Sequence, residues 1–224
     1  MSRLFYISMF LLLSALVLHP FGQAQARCSY RGAQVDVQQK KHALQLERNF
    51  SAQHLTATAS VPTASGSIVL GHGGGGMQIG GSIEFTVTGS REEGYCPKIQ
   101  RVNIELQIMP RIKLANTLQP GSCEYNAVYQ HEMFHVAVLE RTAQSAAQQI
   151  PDIINTRLRD VVARMGQNGH DSSYIHRHLQ AEFSRTLSIV NDQMSAFMNS
   201  EQKKIDNPTE YARVQNSCAF NRRY

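Results

Sequence analysis

The chain has 224 residues and a net charge of +5 at neutral pH. Its basic residues are scattered: Lys40-Lys41, Lys203-Lys204 and Arg222-Arg223 are short, solvated pairs, and no basic stripe with interleaved aromatics occurs. That pattern lacks the electrostatic footprint of a nucleic-acid-binding protein, so no nucleic-acid partner is expected.

At the N-terminus, Arg3 gives a short basic start, Leu4 to Leu18 is almost wholly apolar, and Ala24-Gln25-Ala26 has the small-x-small pattern of a signal-peptidase site. The apolar stretch is shorter than the roughly 20 residues that span a bilayer. Residues 1–26 are therefore expected to be a cleavable secretory signal, leaving a periplasmic or secreted chain with no integral membrane association. Arg27 stands where a lipobox before Cys28 would need a small residue, which excludes lipidation. The remaining residues 27–224 suit a single domain. Its four cysteines, Cys28, Cys96, Cys123 and Cys218, are an even set in an exported chain and predict two disulfides. Three pairings are open; Cys28–Cys96 with Cys123–Cys218 is preferred.

From Cys28 to about Leu118 apolar residues alternate: Val35 and Val37, Ala57 and Ala59, then Ile83, Phe85 and Val87, then Ile104, Leu106 and Ile108. Turn signals at Pro62, the glycines after Leu70, Gly89, Gly94 and Pro97 punctuate the runs. This period predicts antiparallel strands over 27–119, with Ala43 to Phe50 open between strand and helix. The glycine run Gly71–Gly76, interrupted by His72, lacks the lysine and helix start of a phosphate loop. It reads as a mobile connection, with a flap over a substrate cleft, or His72 as a metal ligand, as sharper alternatives.

After Pro120-Gly121 the period becomes helical. Ser122 is a plausible N-cap, and a helix is expected to run to about Gln149, where Pro151 interrupts it. A second stripe contains Ile153, Ile154, Leu158, Val161, Val162 and Met165, ended by Gly166 and Gly169. A third helix, capped by Asp171 or Ser172, carries Ile175, Leu179, Phe183, Leu187, Val190, Met194 and Phe197. Strands followed by helices predict an α+β fold, with residues 120–224 forming the helical part.

The first of these helices contains HEMFH. His131 and His135, four residues apart, share a helix face and can grip one ion. Zinc accepts imidazole nitrogen, and a zinc with an open position brings water to a pKa of about 7. Glu132, beside the pair, is placed to take a proton from such a water and return it to a leaving group. Val128, Phe134, Val138 and Leu139 would bury the helix and fix the ligands.

HEMFH resembles the motif of the zincin metalloproteases. The metzincin branch places a glycine and a third histidine just after the motif; here VAVLERTAQSA follows His135, so the chain is not of that branch. Gluzincins take a glutamate from a later helix. Glu140 faces away from His131, and Glu182, beside the stripe of the third helix, is better placed. The tail DNPTEYARVQNSC, Asp206 to Cys218, together with the strands and HEMFH, resembles a group of secreted bacterial proteins described as predicted zinc-dependent proteases. That group carries a histidine two residues after the threonine, where this chain has Tyr211. Asp206, Glu210 and Tyr211 are then candidates to complete the site. Glu210 is preferred as the third ligand, and Tyr211 is an alternative donor to the oxyanion. Read from the residues alone, the same tail is a turn followed by a short capped helix. His176 and His178, two apart, cannot share a helix face.

No G-x-S-x-G elbow occurs, and disulfide-bound cysteines cannot serve as nucleophiles. Two expectations follow. The first is an exported zinc-dependent metallopeptidase with a zincin-like helical half, acting on a protein or peptide substrate. The second is a catalytically inactive, zincin-like binding module of the cell envelope.

Overall fold

A computed structural model of the chain describes residues 28–59, 68–165 and 170–218. The expected signal segment, the turn at Pro62, the helix stop at Gly166 and Gly169, and Arg222-Arg223 lie outside the described residues. The elements in chain order are β1 (Gln34–Lys41), β2 (Gln45–Phe50), α1 (Ala52–Ala57), β3 (Gly71–His72), β4 (Gly75–Ser90), β5 (Gly94–Ala115), α2 (Cys123–Met165), α3 (Ser172–Ile205) and α4 (Pro208–Ser217).

The sheet is built around β5. Its alternation is strict from Val102 to Leu114: Val102, Ile104, Leu106, Ile108, Ile112 and Leu114 are each at most 4% exposed, while Arg101, Glu105 and Arg111 face solvent. Between Ile99 and Val102 the burial shifts phase by one residue, where the β4–β5 ladder steps from the Glu84–Arg101 pair to the Phe85–Ile99 pair. That step is a bulge, which turns the strand's apolar face back toward the helices.

The expectation of an antiparallel N-terminal half is overturned. β1 pairs with β5 in parallel, Gln34 opposite Arg101 through Lys41 opposite Ile108, and β2 continues in parallel from Gln45 opposite Arg111. Only β3 and β4 are antiparallel to β5. The sheet is therefore mixed. Alternation reports which face a residue occupies and is silent on direction. Direction follows from the number of chain reversals: the chain turns back between β2 and β3 and again at residues 91–93, so β5 ends up running the same way as β1 and β2. The alternation of Ala57 and Ala59 also misled, because Ala52–Ala57 is a short helix, with Ser51 accepting from the His54 N–H at 3.1 Å as its N-cap.

α2 is a single 43-residue helix with Pro151 inside it. Proline removes one helix hydrogen bond and crowds the preceding turn, yet the helix continues. Ile150 and Ile154, on either side of the proline, are 1% and 0% exposed, and their burial in the main core keeps both halves docked. Ser122 caps its start, accepting from the Tyr125 N–H at 3.1 Å. Asp171 caps α3 through the Tyr174 N–H. Of the α3 stripe, Ile175, Leu179, Phe183, Val190 and Met194 are buried, while Phe197 is exposed.

The core has two clusters. The larger packs Ile99 to Ile108 of β5 against Leu139 to Met165 of α2 and the α3 stripe. The smaller packs Ile112, Leu114 and Ala115 against Leu55, Ala127, Val128, Val136 and Val214. Cys28 and Cys96 belong to the first and Cys218 to the second, while its partner Cys123 is exposed; the Cys28–Cys96 and Cys123–Cys218 disulfides have Cα separations of 5.4 and 5.8 Å. The preferred pairing is thus the one found. Among the described residues, no helix is long and apolar enough to cross a membrane.

Candidate metal centre

HEMFH lies in the first third of α2, against the end of β5. Val136 and Leu139 face the core and set the helix's rotation, which turns His131 and His135 inward together; each is 5% exposed. Their Nε2 atoms are 3.3 Å apart. The third corner is Asp206, at the joint between α3 and α4, whose Oδ1 lies 3.3 Å from His131 Nε2 and 3.1 Å from His135 Nε2. Among the described residues, these three form a group able to hold a metal ion. A tetrahedral zinc bound at about 2.0–2.1 Å separates its donors by about 3.3–3.4 Å, and the triangle matches that spacing. Two imidazoles and a carboxylate are also a donor set that zinc accepts.

Each imidazole is held from behind. Glu210 Oε1 lies 3.2 Å from His131 Nδ1. Gln202 Oε1 meets His135 Nδ1, while its Nε2 donates to the His135 carbonyl at 3.0 Å, which fixes the amide's orientation. With Nδ1–H donating to these oxygens, the neutral form of each ring carries its lone pair on Nε2, facing the triangle, while the protonated form donates from Nε2 to Asp206. Glu210 is itself gripped by Arg213, whose Nε and Nη2 donate at 2.8 and 2.6 Å. Glu210, the preferred third ligand, thus sits on the outer nitrogen of His131, and Asp206 occupies the inner position. The local sequence explains this. Asn207 caps α4 by accepting from the Glu210 N–H at 3.0 Å, with Pro208 at the first turn. That cap aims Glu210 at the side of α2, while Asp206, one residue before the cap, faces inward.

The charges follow the geometry. Burial alone would raise the Asp206 carboxyl; hydrogen bonds from His131 and His135 outweigh it and hold Asp206 below the ordinary carboxylate range. Burial alone would lower the two imidazoles, but their bonds to Asp206 and the charge of Glu132 raise both. The Arg213 hydrogen bond, helped by His131, lowers Glu210 to about 2. Tyr211 is raised by burial and by its hydrogen bond and proximity to Asp206, so its hydroxyl stays protonated. Its ring centroid is 5.9 Å from that of His131.

Glu132 is 3% exposed. Burial raises its carboxyl to about 7, against the lowering influence of His131 and His135. A hydrogen bond from the Gly73 N–H also reaches it. The glycine run packs directly across this residue. A Cβ on Gly71 would lie 2.4 Å from Glu132 Oε1, and one on Gly73 would lie 2.4 Å from the Glu132 carbonyl oxygen. Glycine is required here by close approach. His72, between them, has a buried Nε2 with no hydrogen-bond partner and is not part of the donor triangle. Burial lowers its pKa, with nearby Lys113 adding to the effect.

The other candidates lie elsewhere. Glu140 pairs with Lys41 at 2.7 Å. Glu182 pairs with Arg185 at 3.2 Å and lines a groove with Arg157 and Arg164. His176 packs on Phe85 and His178 on Tyr174. Sequence reasoning missed Gln202, Arg213, Gly71 and Gly73. No signal in the sequence pointed to Gln202, because the chain breaks between α3 and α4 and the three residues Gln202, Asp206 and Glu210 do not share one helix.

Comparison with known proteins finds no matching family model, no similar curated protein and no similar solved structure. A zincin-like architecture for the helical half therefore gains no support from that side, and the functional case stands on the chemistry of the site.

Proposed function

We propose that the chain is an exported metal-dependent hydrolase with zinc as its metal and peptide bonds as its substrate. The observation that carries the reading is a carboxyl, Glu132, 3% exposed and directly beside a donor triangle of His131, His135 and Asp206. A buried carboxylate costs several kcal/mol unless it is compensated, and here the compensation comes from His131, His135 and the Gly73 N–H. A proton-transfer group needs that environment, because its pKa should lie near the working pH. Zinc held by the triangle would polarise a carbonyl and acidify water.

The chain's own groups then have distinct tasks. Glu132 accepts a proton and returns it to the leaving amine. The Gly73 N–H orients the Glu132 carboxylate. Glu210 and Gln202 keep the imidazoles in the tautomer that presents Nε2. Tyr211, a protonated hydroxyl hydrogen-bonded to Asp206, would donate to a developing oxyanion once it exchanges that partner. Asp206 and Glu210 side chains are 17% and 18% exposed, against 7% and 6% for the histidines. Substrate access is therefore from the α3–α4 joint. Peptide bonds are named from the resemblance of HEMFH to zincin metalloproteases. Export is supported by two disulfides, which suit an oxidising compartment, and the apolar leader is consistent with a periplasmic or secreted destination.

A second reading, a non-catalytic envelope module that binds metal, draws on the close cover of Gly71 and Gly73 over Glu132. One experiment separates the two. The purified chain is assayed for metal by mass spectrometry and for cleavage of an unfolded protein substrate, alongside Glu132→Gln. The hydrolase reading expects about one zinc per chain in both proteins and a loss of at least about 100-fold in turnover for the variant. Zinc without cleavage in the wild type would favour the binding module. Iron in place of zinc, with no cleavage that depends on Glu132, would overturn the hydrolase reading, because two histidines and a carboxylate also suit iron(II) redox chemistry; iron with such cleavage would change only the metal.

A further inference from the structure

We propose that closing the Cys123–Cys218 disulfide completes the metal centre, so that the chain becomes able to hold its metal only where thiols are oxidised. The inference rests on the metal-centre reading above and assigns that site its regulation.

α4 carries or adjoins much of what the site needs. Asp206 sits on the joint between α3 and α4, and Glu210 and Tyr211 are in the first turn of α4. Yet α4 is ten residues long and buries a single apolar side chain, Val214. Helices shorter than about 12–15 residues do not hold by themselves in water, so tertiary anchors decide whether α4 stays docked. Its other ties include the Glu210 contact to His131, the Tyr211 hydrogen bond to Asp206 and ring contact with His131, and the Arg213 guanidinium 5.9 Å from the ring of Phe134, which is 49% exposed. They gather at the first six residues of α4, leaving its far end to Val214 and the disulfide. The remaining anchor is covalent: Cys218, the C-cap of α4, is bonded to Cys123, the first residue of α2.

The bond therefore fixes the far end of α4 to the start of the helix that carries both histidines. It closes a loop of 95 residues containing all three donors, and the constraint a cross-link imposes on a chain grows with the loop it closes. With the bond open, the end of α4 is released, Glu210 leaves His131 Nδ1, and Asp206 is held from the α3 side alone. Forming the bond removes two electrons and two protons from the Cys123 and Cys218 thiols. A disulfide donor, such as an oxidised dithiol oxidoreductase or a disulfide of a small thiol, accepts them as two thiols by exchange.

Cys28–Cys96 supplies the internal control. It joins the segment before β1 to the start of β5, within the other core cluster, and neither cysteine lies on α4 or on the α3–α4 joint.

The test compares Cys123→Ser/Cys218→Ser with Cys28→Ser/Cys96→Ser and the wild type. Zinc affinity is measured by competition with a chromophoric chelator, and amide hydrogen exchange is followed over residues 206–218. The first pair of substitutions should lower zinc affinity by about tenfold or more and lose exchange protection at 206–218, with β5 and the core of α2 still protected. The second pair should leave both readouts near wild type. If the first double variant does not fold, wild-type protein opened at Cys123–Cys218 by graded phosphine, with the opened bond mapped by mass spectrometry, gives the same two readouts. Unchanged affinity and protection after opening overturn the proposal, as do equal losses from both pairs. A wild type that holds no zinc in either redox state defeats the metal-centre reading, and the proposal with it. Zinc held without hydrolysis defeats the hydrolase reading alone and leaves this proposal standing.

Discussion

At the scale of single residues, the site divides Asp206 from Glu210 by which nitrogen of His131 each one meets. Asp206 faces Nε2 and Glu210 faces Nδ1. Asp206→Ala removes a donor and should abolish stoichiometric zinc binding. Glu210→Ala leaves the triangle intact and should weaken zinc affinity or turnover by about 10- to 100-fold. Isothermal titration with zinc separates the two, and the reverse ranking would make Glu210 the ligand. HEMFH itself was legible because its chemistry is written within one helical turn. The third donor was not: Asp206 is 71 positions from His135, and only the docking of α4 on α2 decides whether Asp206, Glu210 or Tyr211 turns inward. The glycine cover over Glu132 was illegible for a related reason. A run of glycines announces freedom, and only the neighbour reveals that Gly71 and Gly73 are needed because there is no room for a Cβ.

Among the elements, β5 and α3 were readable because each is amphipathic with its own period, 2 or about 3.6 residues. What misled were features settled by contacts beyond the element. Strand direction in β1 and β2 depends on chain reversals, and the continuity of α2 through Pro151 depends on the burial of Ile150 and Ile154 in the main core. Proline at 151 leaves the Ala147 carbonyl without its usual helix donor. Pro151→Ala restores an N–H there, at the expense of a freer unfolded chain. Since interior proline costs about 3 kcal/mol in a helix, the substitution should stabilise the protein by about 1–2 kcal/mol, seen as a higher midpoint in urea unfolding. A lower midpoint would mean that the helix bends at Pro151 in a way the packing requires.

For the whole molecule, the metal is expected to act as a fastener between α2 and the α3–α4 joint. A ligand that binds only the folded state stabilises it by mass action, so a chelator should lower the thermal midpoint, and added zinc should restore it. The imidazoles must be unprotonated to ligate. Protons and metal compete for the same Nε2 atoms, and both imidazoles hold protons more tightly than free histidine, so zinc affinity should begin to fall already above the ordinary histidine range near about 6.5 as pH drops, and the stabilisation by zinc should shrink in the same direction. Calorimetry with and without zinc at pH 5 and pH 8 checks this; a stabilisation that grows in acid would contradict it.

The pairing of β5 with α2 has a consequence for shape. Asn155 of α2 accepts from the Ala33 N–H just before β1, whose Gln34 lies opposite Arg101 of β5; Lys41, opposite Ile108, pairs with Glu140; and Ala115 shares a cluster with Ala127 and Val128, so strand and helix run side by side in opposite directions. At about 3.3 Å per strand residue and 1.5 Å per helix residue, the two matched stretches each cover on the order of 40–50 Å, and the 43 residues of α2 about 65 Å. A sphere with the radius of gyration of about 16–17 Å expected for a domain of this size is only about 43 Å across. The particle should therefore be elongated along α2 and tumble anisotropically in solution, with the metal centre toward one end.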